Sequence, residues 1–475
     1  MVFSSIVFLA FFLPVTLAVH FLLPKRARNY WLLAVSLLFY FWGAHEFLFV
    51  MLASIAANYI AALIIHRLSS RKLQTLVLVI ALAVNLGILF YNKYMNFATS
   101  ILNRIFGDSI TVTSIALPIG ISFFTFQAMS YVIDVYRGNA QVQKNPCFLA
   151  LYVSFFPQLV AGPIVRYTTV EAQIREWQIT FDKFRSGVSR FMGGFCQKIL
   201  LSNTMAIIAD EAFGQYTYVE GTMSVAFAWI GALAYSLQIF FDFSGYSSMA
   251  IGLGRMFGFD FLENFNYPYI SKTVTEFWRR WHISLGSFFR DYVYFPLGGS
   301  RVTSKFLLVR NLFVVWLLTG IWHGASFTFI FWGLWYFALL CFEKLTGLSK
   351  KTLPAPAAFA YRIFTLVYVV IGWVFFRSDY MSSAVSYCKV MFGIPGNPLW
   401  CDNALRLLND YRLVFPIALL LCTPFFPWLR NKAEEKFHAG QIVDTVYDLI
   451  LLAGVLLGIS SLVMGVNNPF IYFNF

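Results

Sequence analysis

Proton transfer near neutral pH is most readily done by histidine, and the six histidines of this chain sit in very different surroundings. His323 stands inside Leu317–Phe331, LLTGIWHGASFTFIF, and no Asp, Glu, Lys or Arg occurs from Asn311 to Phe342. A neutral imidazole is the cheapest titratable base to place in so apolar a setting, and it is what general-base catalysis needs. Gly320, Gly324 and Ala325 would let a ligand or another helix approach closely. The same pattern fits a histidine hydrogen-bonded between packed helices. His282 lies in Ser271–Arg301, SKTVTEFWRRWHISLGSFFRDYVYFPLGGSR. Thr273 and Glu276 fit a capping box that opens a helix. Phe277, Trp278, Trp281, Leu285, Phe288 and Phe289 form an apolar stripe, and Arg279, His282, Gly286 and Arg290 recur at helical spacing on another face. The spacing predicts one amphipathic helix along the cytoplasmic interface. Its arginines could grip the phosphates of an anionic donor, or anchor the helix at the interface together with its tryptophans. Asp242, in Tyr235–Gly254, follows an apolar stretch and fits an ion pair with an arginine or the wall of a polar cavity. Ser244, Ser248 and Gly252 recur every fourth residue, a face for close helix contact. His20, His45 and His66 lie near the ends of apolar runs and His438 follows KAEEK, so these four are read as interfacial or solvated.

The elements that position these residues are apolar. Of 475 residues, 59% are hydrophobic and 12% charged, about half the charged share of a soluble domain. This excludes a disordered chain, a disulfide scaffold and an ordinary cytosolic enzyme. A span needs roughly 20 apolar residues, which allows roughly ten spans. The clearest apolar runs are Val2–Leu23, Asn29–Trp42, Phe47–Ile65, Leu73–Tyr91, Cys147–Val165, Met223–Phe243, Phe306–Leu318, Phe327–Phe342, Phe359–Phe376, Leu413–Leu429 and Val443–Val466. No repeat or soluble domain interrupts them, so the chain reads as one polytopic membrane domain, residues 1–475. Val2–Leu23 lacks the basic flank and cleavage site of a signal peptide and reads as a retained span. Pro118 and Gly120 in Ser114–Arg137, and Pro157, Gly162 and Pro163 in Phe155–Arg166, mark either re-entrant segments beside a cavity or kinks.

The net charge is +13, but the cations gather in short connections. That pattern points to membrane topology and anionic lipid rather than nucleic acid. Lys25, Arg26 and Arg28 follow the first run and Arg67, Arg71 and Lys72 follow the third, which puts both loops in the cytoplasm and the N-terminus outside. The six cysteines are scattered, with no CxxC and no metal-ligand cluster. No P-loop, HExxH or GxGxxG occurs.

Several stretches together carry a resemblance: LPIGISFFTFQAMSYVIDVYRG (Leu117–Gly138), AGPIVR (Ala161–Arg166), FDFSGYSSMAIGLGRMFGF (Phe241–Phe259), ENFNYPYIS (Glu263–Ser271), TEFWRRWHISL (Thr275–Leu285), RDYVYFPLGGSR (Arg290–Arg301), RNLF (Arg310–Phe313), GIWHGASFTFIFWG (Gly320–Gly333) and NPFIYFNF (Asn468–Phe475). With the opening MVFSSIVFLAFFLP, they resemble the membrane-bound O-acyltransferase (MBOAT) family, in its alginate-acetylating branch, nearly end to end. The resemblance implies an all-α integral membrane fold, a funnel of about 10–12 transmembrane helices with re-entrant segments. It puts the family's catalytic histidine on His323 and its second characteristic histidine on His282. It implies no permanently bound cofactor and a cytoplasmic acyl-CoA donor, acetyl-CoA by expectation, entering past the Trp278–Arg290 segment with Trp278, Arg279, Arg280 and Arg290 as donor-binding residues. It further implies a bacterial cytoplasmic (inner) membrane location and an extracytoplasmic SGNH-hydrolase-like partner that acetylates an exported polysaccharide such as alginate. Peptidoglycan or another surface polymer, or D-alanyl transfer to teichoic acid, would use the same chemistry. From the residues alone, an acyl-group channel or transporter, or a scaffold for polymer export, also stays open.

Overall fold

The computed structural model describes all residues except 108–109, 111–114, 161, 177–178, 219–222, 395, 466–470 and 472–475. Ser114, Ala161, Val466 and, apart from Ile471, the closing NPFIYFNF lie outside the described residues. Among the described residues the structure is helical, with no strand. Among the described residues, eight helices are long and apolar enough to cross a membrane: Phe47–Arg67, Arg71–Phe106, Phe181–Gly214, Val225–Met256, Lys305–His323, Phe327–Thr346, Ala355–Arg377 and Gly440–Val463. Val414–Leu421 and Phe425–Phe437, bent by 68°, make a ninth if they form one span. The protein is thus an all-α integral membrane protein. Most runs expected from sequence fall on these helices. Phe181–Gly214 was not among them, because Asp182, Lys183, Arg185 and Arg190 interrupt its first half; its most apolar stretch of 18 residues has a mean hydropathy of 1.2 and is largely buried.

The chain divides into two compact units, Met1–Phe191 with Tyr246–Leu262, and Met192–Gly245 with Glu263–Phe475. In the first, Asn58 and Asn85 on neighbouring helices exchange amide hydrogen bonds, both 2.9 Å, and Ser54 donates to Asn85 Oδ1. Such reciprocal pairs hold helices together where apolar contact gains nothing over lipid. Gly120, at φ +74°, starts the helix Ile121–Arg137, whose residues Ile121 to Asp134 are all buried. Pro118 and Gly120 therefore open a buried helix rather than kink one. Around Pro157 the chain breaks into Pro146–Ser154 and the single turn Phe156–Leu159. The Phe156 ring sits against Phe8, Phe12 and Phe39, and Tyr152 Oη donates to the Val165 carbonyl. This is a broken helix whose freed backbone groups are met by protein, Phe156 N–H by Ser36 Oγ at 3.2 Å. His20 corrects the interfacial reading. It is fully buried, edge-on to Phe257 at 5.2 Å. His45, His66 and His438 are exposed as expected.

In the second unit, Lys305–His323 packs against Phe327–Thr346 through glycine. A Cβ on Gly333 would meet the Trp316 carbonyl oxygen at 2.4 Å, and one on Gly320 the Phe329 carbonyl oxygen at 2.5 Å. The small residues beside His323 thus admit another helix. Asp242 does form an ion pair, with Lys198 at 2.7 Å rather than with an arginine, and both side chains are almost completely buried. The Asp242 carboxylate also accepts the Ile471 N–H at 2.9 Å. Breaking one side of such a pair leaves an uncompensated charge, at about 3–5 kcal/mol.

Candidate active site

The second unit brings the two singled-out histidines to one cluster of rings. His323 is the last residue of Lys305–His323, and Gly324 leaves the helix in an extended conformation. Three aromatic rings stand edge-on to its imidazole: Trp322 at 4.9 Å, Trp332 at 4.8 Å and Phe376 at 5.2 Å. His323 is 2% exposed. Trp332 comes from the helix packed through glycine and Phe376 from Ala355–Arg377.

His282 reaches the same cluster by another route. The continuous amphipathic helix expected here does not form. Val274–Arg280 ends at Trp281, His282 adopts the left-handed conformation at φ +44°, and Ile283–Phe289 starts afresh. The physical reason is that the Glu263–Ser271 stretch lies beside the break and takes its backbone groups. Asn266 N–H donates to the Arg280 carbonyl at 2.9 Å. Ile283 N–H donates to the Asn264 carbonyl at 2.9 Å, and Ser284 N–H to Asn264 Oδ1 at 3.1 Å. These bonds satisfy two helix ends that lipid could not. A left-handed non-glycine residue costs roughly 1–2 kcal/mol, and such strain gathers where position matters more than stability.

The break turns His282 inward. Its imidazole is buried, perpendicular to Phe243 at 4.6 Å, and 5.9 Å from Trp322. Trp322 therefore touches both histidines. His282 Nδ1 lies 3.2 Å from Asn264 Oδ1, which also accepts from Ser284 Oγ at 2.9 Å. An amide oxygen can only accept, so Nδ1 carries the hydrogen and Nε2 the ring's lone pair. Burial pushes the imidazole down to about 3, so it is neutral at physiological pH.

The proposed donor-binding residues are spread over this segment. Trp278 packs its ring on Trp316, Trp332 and Tyr336, so it belongs to the aromatic core that also surrounds His323. Arg279 is exposed. Arg280 is half-buried, paired with Glu276 at 2.9 Å and bonded to the Asn266 carbonyl. Arg290 is exposed and clamped by both oxygens of Asp291.

Two residues that the sequence did not single out organise the site. Asn264 is one. Glu343 is the other, fully buried in the last turns of Phe327–Thr346. Its carboxyl group accepts Val274 N–H and Thr275 N–H, both at 2.8 Å, Thr275 Oγ1–H at 2.5 Å and Tyr361 Oη–H at 2.7 Å. Thr273 Oγ1 accepts the next free donor, Glu276 N–H, at 3.0 Å, as the capping motif predicts. The box itself is shifted by one, since Glu276 reaches back to Lys272 N–H instead of Thr273. The first three amides of the helix leading to His282 are thus all taken. A signal for Glu343 did exist. An acid in the last turn of a helix opposes the macrodipole, so it needs another partner.

Helices of membrane length and a desolvated pair of histidines joined by one tryptophan define an integral membrane protein equipped for proton transfer out of water. The membrane-bound O-acyltransferase family model matches residues 134–385, and that span contains both histidines, Asn264 and Glu343. The chain is 45% identical over 400 residues to the probable alginate O-acetylase of Pseudomonas aeruginosa, covering 82% of this chain and 75% of that protein. It is 44% identical over 431 residues to the protein of the same description from Azotobacter vinelandii, covering 89% and 83%. It is 33% identical to the peptidoglycan O-acetyltransferase of Helicobacter pylori, covering 100% and 98%. The chain belongs to the membrane-bound O-acyltransferase family, and it is an O-acyltransferase.

Proposed function

We propose that the protein takes an acetyl group from acetyl-CoA in the cytoplasm and passes it across the bacterial inner membrane to an extracytoplasmic SGNH-hydrolase-like partner, which O-acetylates an exported polysaccharide such as alginate. The observation that carries the catalytic part is the pairing of His323 and His282 on Trp322 in a dry aromatic setting. The polymer is argued from the similarity to the probable alginate O-acetylases of Pseudomonas aeruginosa and Azotobacter vinelandii.

His323 accepts the proton of an incoming hydroxyl as the oxygen attacks the thioester carbonyl. The tetrahedral adduct collapses, the carbon–sulfur bond breaks, and the thiolate leaves with the proton that His323 held. His282, neutral and oriented by Asn264, positions the donor or supports the developing charge. The surrounding rings exclude water that would hydrolyse the thioester. Trp278, Arg279, Arg280 and Arg290 lie on the donor's path, the arginines as partners for its phosphates.

The test is acetyl release from labelled acetyl-CoA in membranes holding the protein and its candidate partner, with alginate, peptidoglycan and teichoic acid offered as final acceptors. Acetylation that survives His323→Ala at normal protein levels sinks the catalytic assignment. Labelling of peptidoglycan alone moves the polymer to a second reading, favoured by the end-to-end match to the Helicobacter pylori protein.

A further inference from the structure

Apart from the histidine cluster, the first unit contains an open cavity of about 580 Å³ where Phe47–Arg67 ends, Arg71–Leu89 begins and Ile121–Arg137 ends. Its lining includes Arg71, Arg137, Lys144 and His66, and no Asp or Glu. Its volume lies in the range of small-ligand sites. The charge is preorganised. Arg71 Nη1 donates to the Tyr136 carbonyl at 2.7 Å and to Gln74 Oε1 at 3.1 Å, and the guanidinium lies 3.6 Å from the centre of the Tyr136 ring. Arg71 Nη2 and Lys144 Nζ make no hydrogen bond within the described protein, so their donors remain for a ligand. Arg175, Arg280, Arg290, Arg377, Arg406 and Arg430 each pair with a carboxylate. Arg71 meets a carbonyl and a ring instead.

We propose that this cavity binds a phosphate-bearing anion, and that the phosphate is an anionic lipid headgroup. Planar guanidinium and ammonium donors suit phosphate oxygens, and basic pockets at helix ends are where headgroups meet protein. The helix that starts at Arg71 exposes Leu73, Leu76, Val79 and Ile80 over its next turns. That strip gives the acyl chains of such a lipid a surface to lie on, which a soluble phosphate would not use.

The test is native mass spectrometry of the full-length protein with phosphatidylglycerol, using phosphatidylcholine as the uncharged comparison. Wild type should retain phosphatidylglycerol selectively, and Arg71→Gln and Lys144→Gln should each weaken retention by about fivefold. Lys144→Gln removes no internal hydrogen bond, so it separates binding from folding. Arg67→Gln and Lys72→Gln remove the same charge just outside the cavity and should change little. Equal losses for all four variants, or no loss in any, would reduce the effect to general surface charge and overturn the proposal. A further arm adds millimolar inorganic phosphate. Persistence of the lipid supports a headgroup, and displacement overturns the lipid assignment while keeping the anion site.

Discussion

His323 and His282 meet the same indole yet are held in opposite ways. His323 ends a helix and is surrounded by the rings of Trp322, Trp332 and Phe376. His282 interrupts a helix in a strained conformation, and Asn264 fixes which way it faces and which nitrogen bears hydrogen. The contrast teaches a division of labour. Close aromatic packing surrounds a base whose proton must come and go. A polar anchor suits a group that keeps one tautomer throughout.

Substitutions can break that comparison. The largest effect belongs to His323→Ala, which should cut transfer of labelled acetyl by about 10³-fold or more, since it removes the general base. Should His323→Gln retain most of the activity, transport would replace catalysis. Next, Asn264→Ala should lower kcat by about 10- to 100-fold through misplacement of His282, with fold and membrane level preserved. If KM rises while kcat stays, Asn264 serves donor binding instead. Glu343→Gln should follow, with a loss of stability of about 1–3 kcal/mol from weakened capping and a fall in activity that tracks the loosened Val274–Arg280 helix. A thermal-shift assay reads the first and a rate assay the second.

Two smaller effects sharpen the contrast. His282→Gly and His282→Ala should be equally impaired in transfer, but the glycine variant should be more stable by about 1 kcal/mol, because only glycine takes the left-handed conformation without strain. Equal melting temperatures would show that the break relaxes when the side chain is gone. Finally, because burial lowers His282 to about 3, it is already deprotonated above about pH 5. Removing it should lower the rate without moving the acid limb of the pH profile. A shifted limb would make His282 the titrating base.

Much of the fold was legible because apolar runs of membrane length have few alternative structures. The glycines of GIWHG announced a close neighbour, a ligand or another helix, and the helix Phe327–Thr346 is that neighbour. The segment around His282 misled, because Arg279, His282, Gly286 and Arg290 have faultless helical spacing. Periodicity reports what a segment prefers alone, and here amides from the Glu263–Ser271 stretch bond the broken ends instead. Phe181–Gly214 was obscured because Asp182, Lys183 and Arg185 stand in its poorly covered first turns, while Lys198 in its buried part is neutralised by Asp242. Glu343 was hidden by separation, since it caps a helix some seventy residues earlier in the chain.

The helix Phe327–Thr346 carries Trp332 against one histidine and Glu343 against the segment that leads to the other. Those positions are about three turns apart, so they project from nearly the same side and lie roughly 16 Å from each other along the axis. Adding or deleting a single residue between them would swing one contact about 100° away from the other. This stretch is therefore a ruler whose length is set by two separate marks. Insertions that other loops of the molecule absorb should be lethal to activity here, even where every side chain named above is intact.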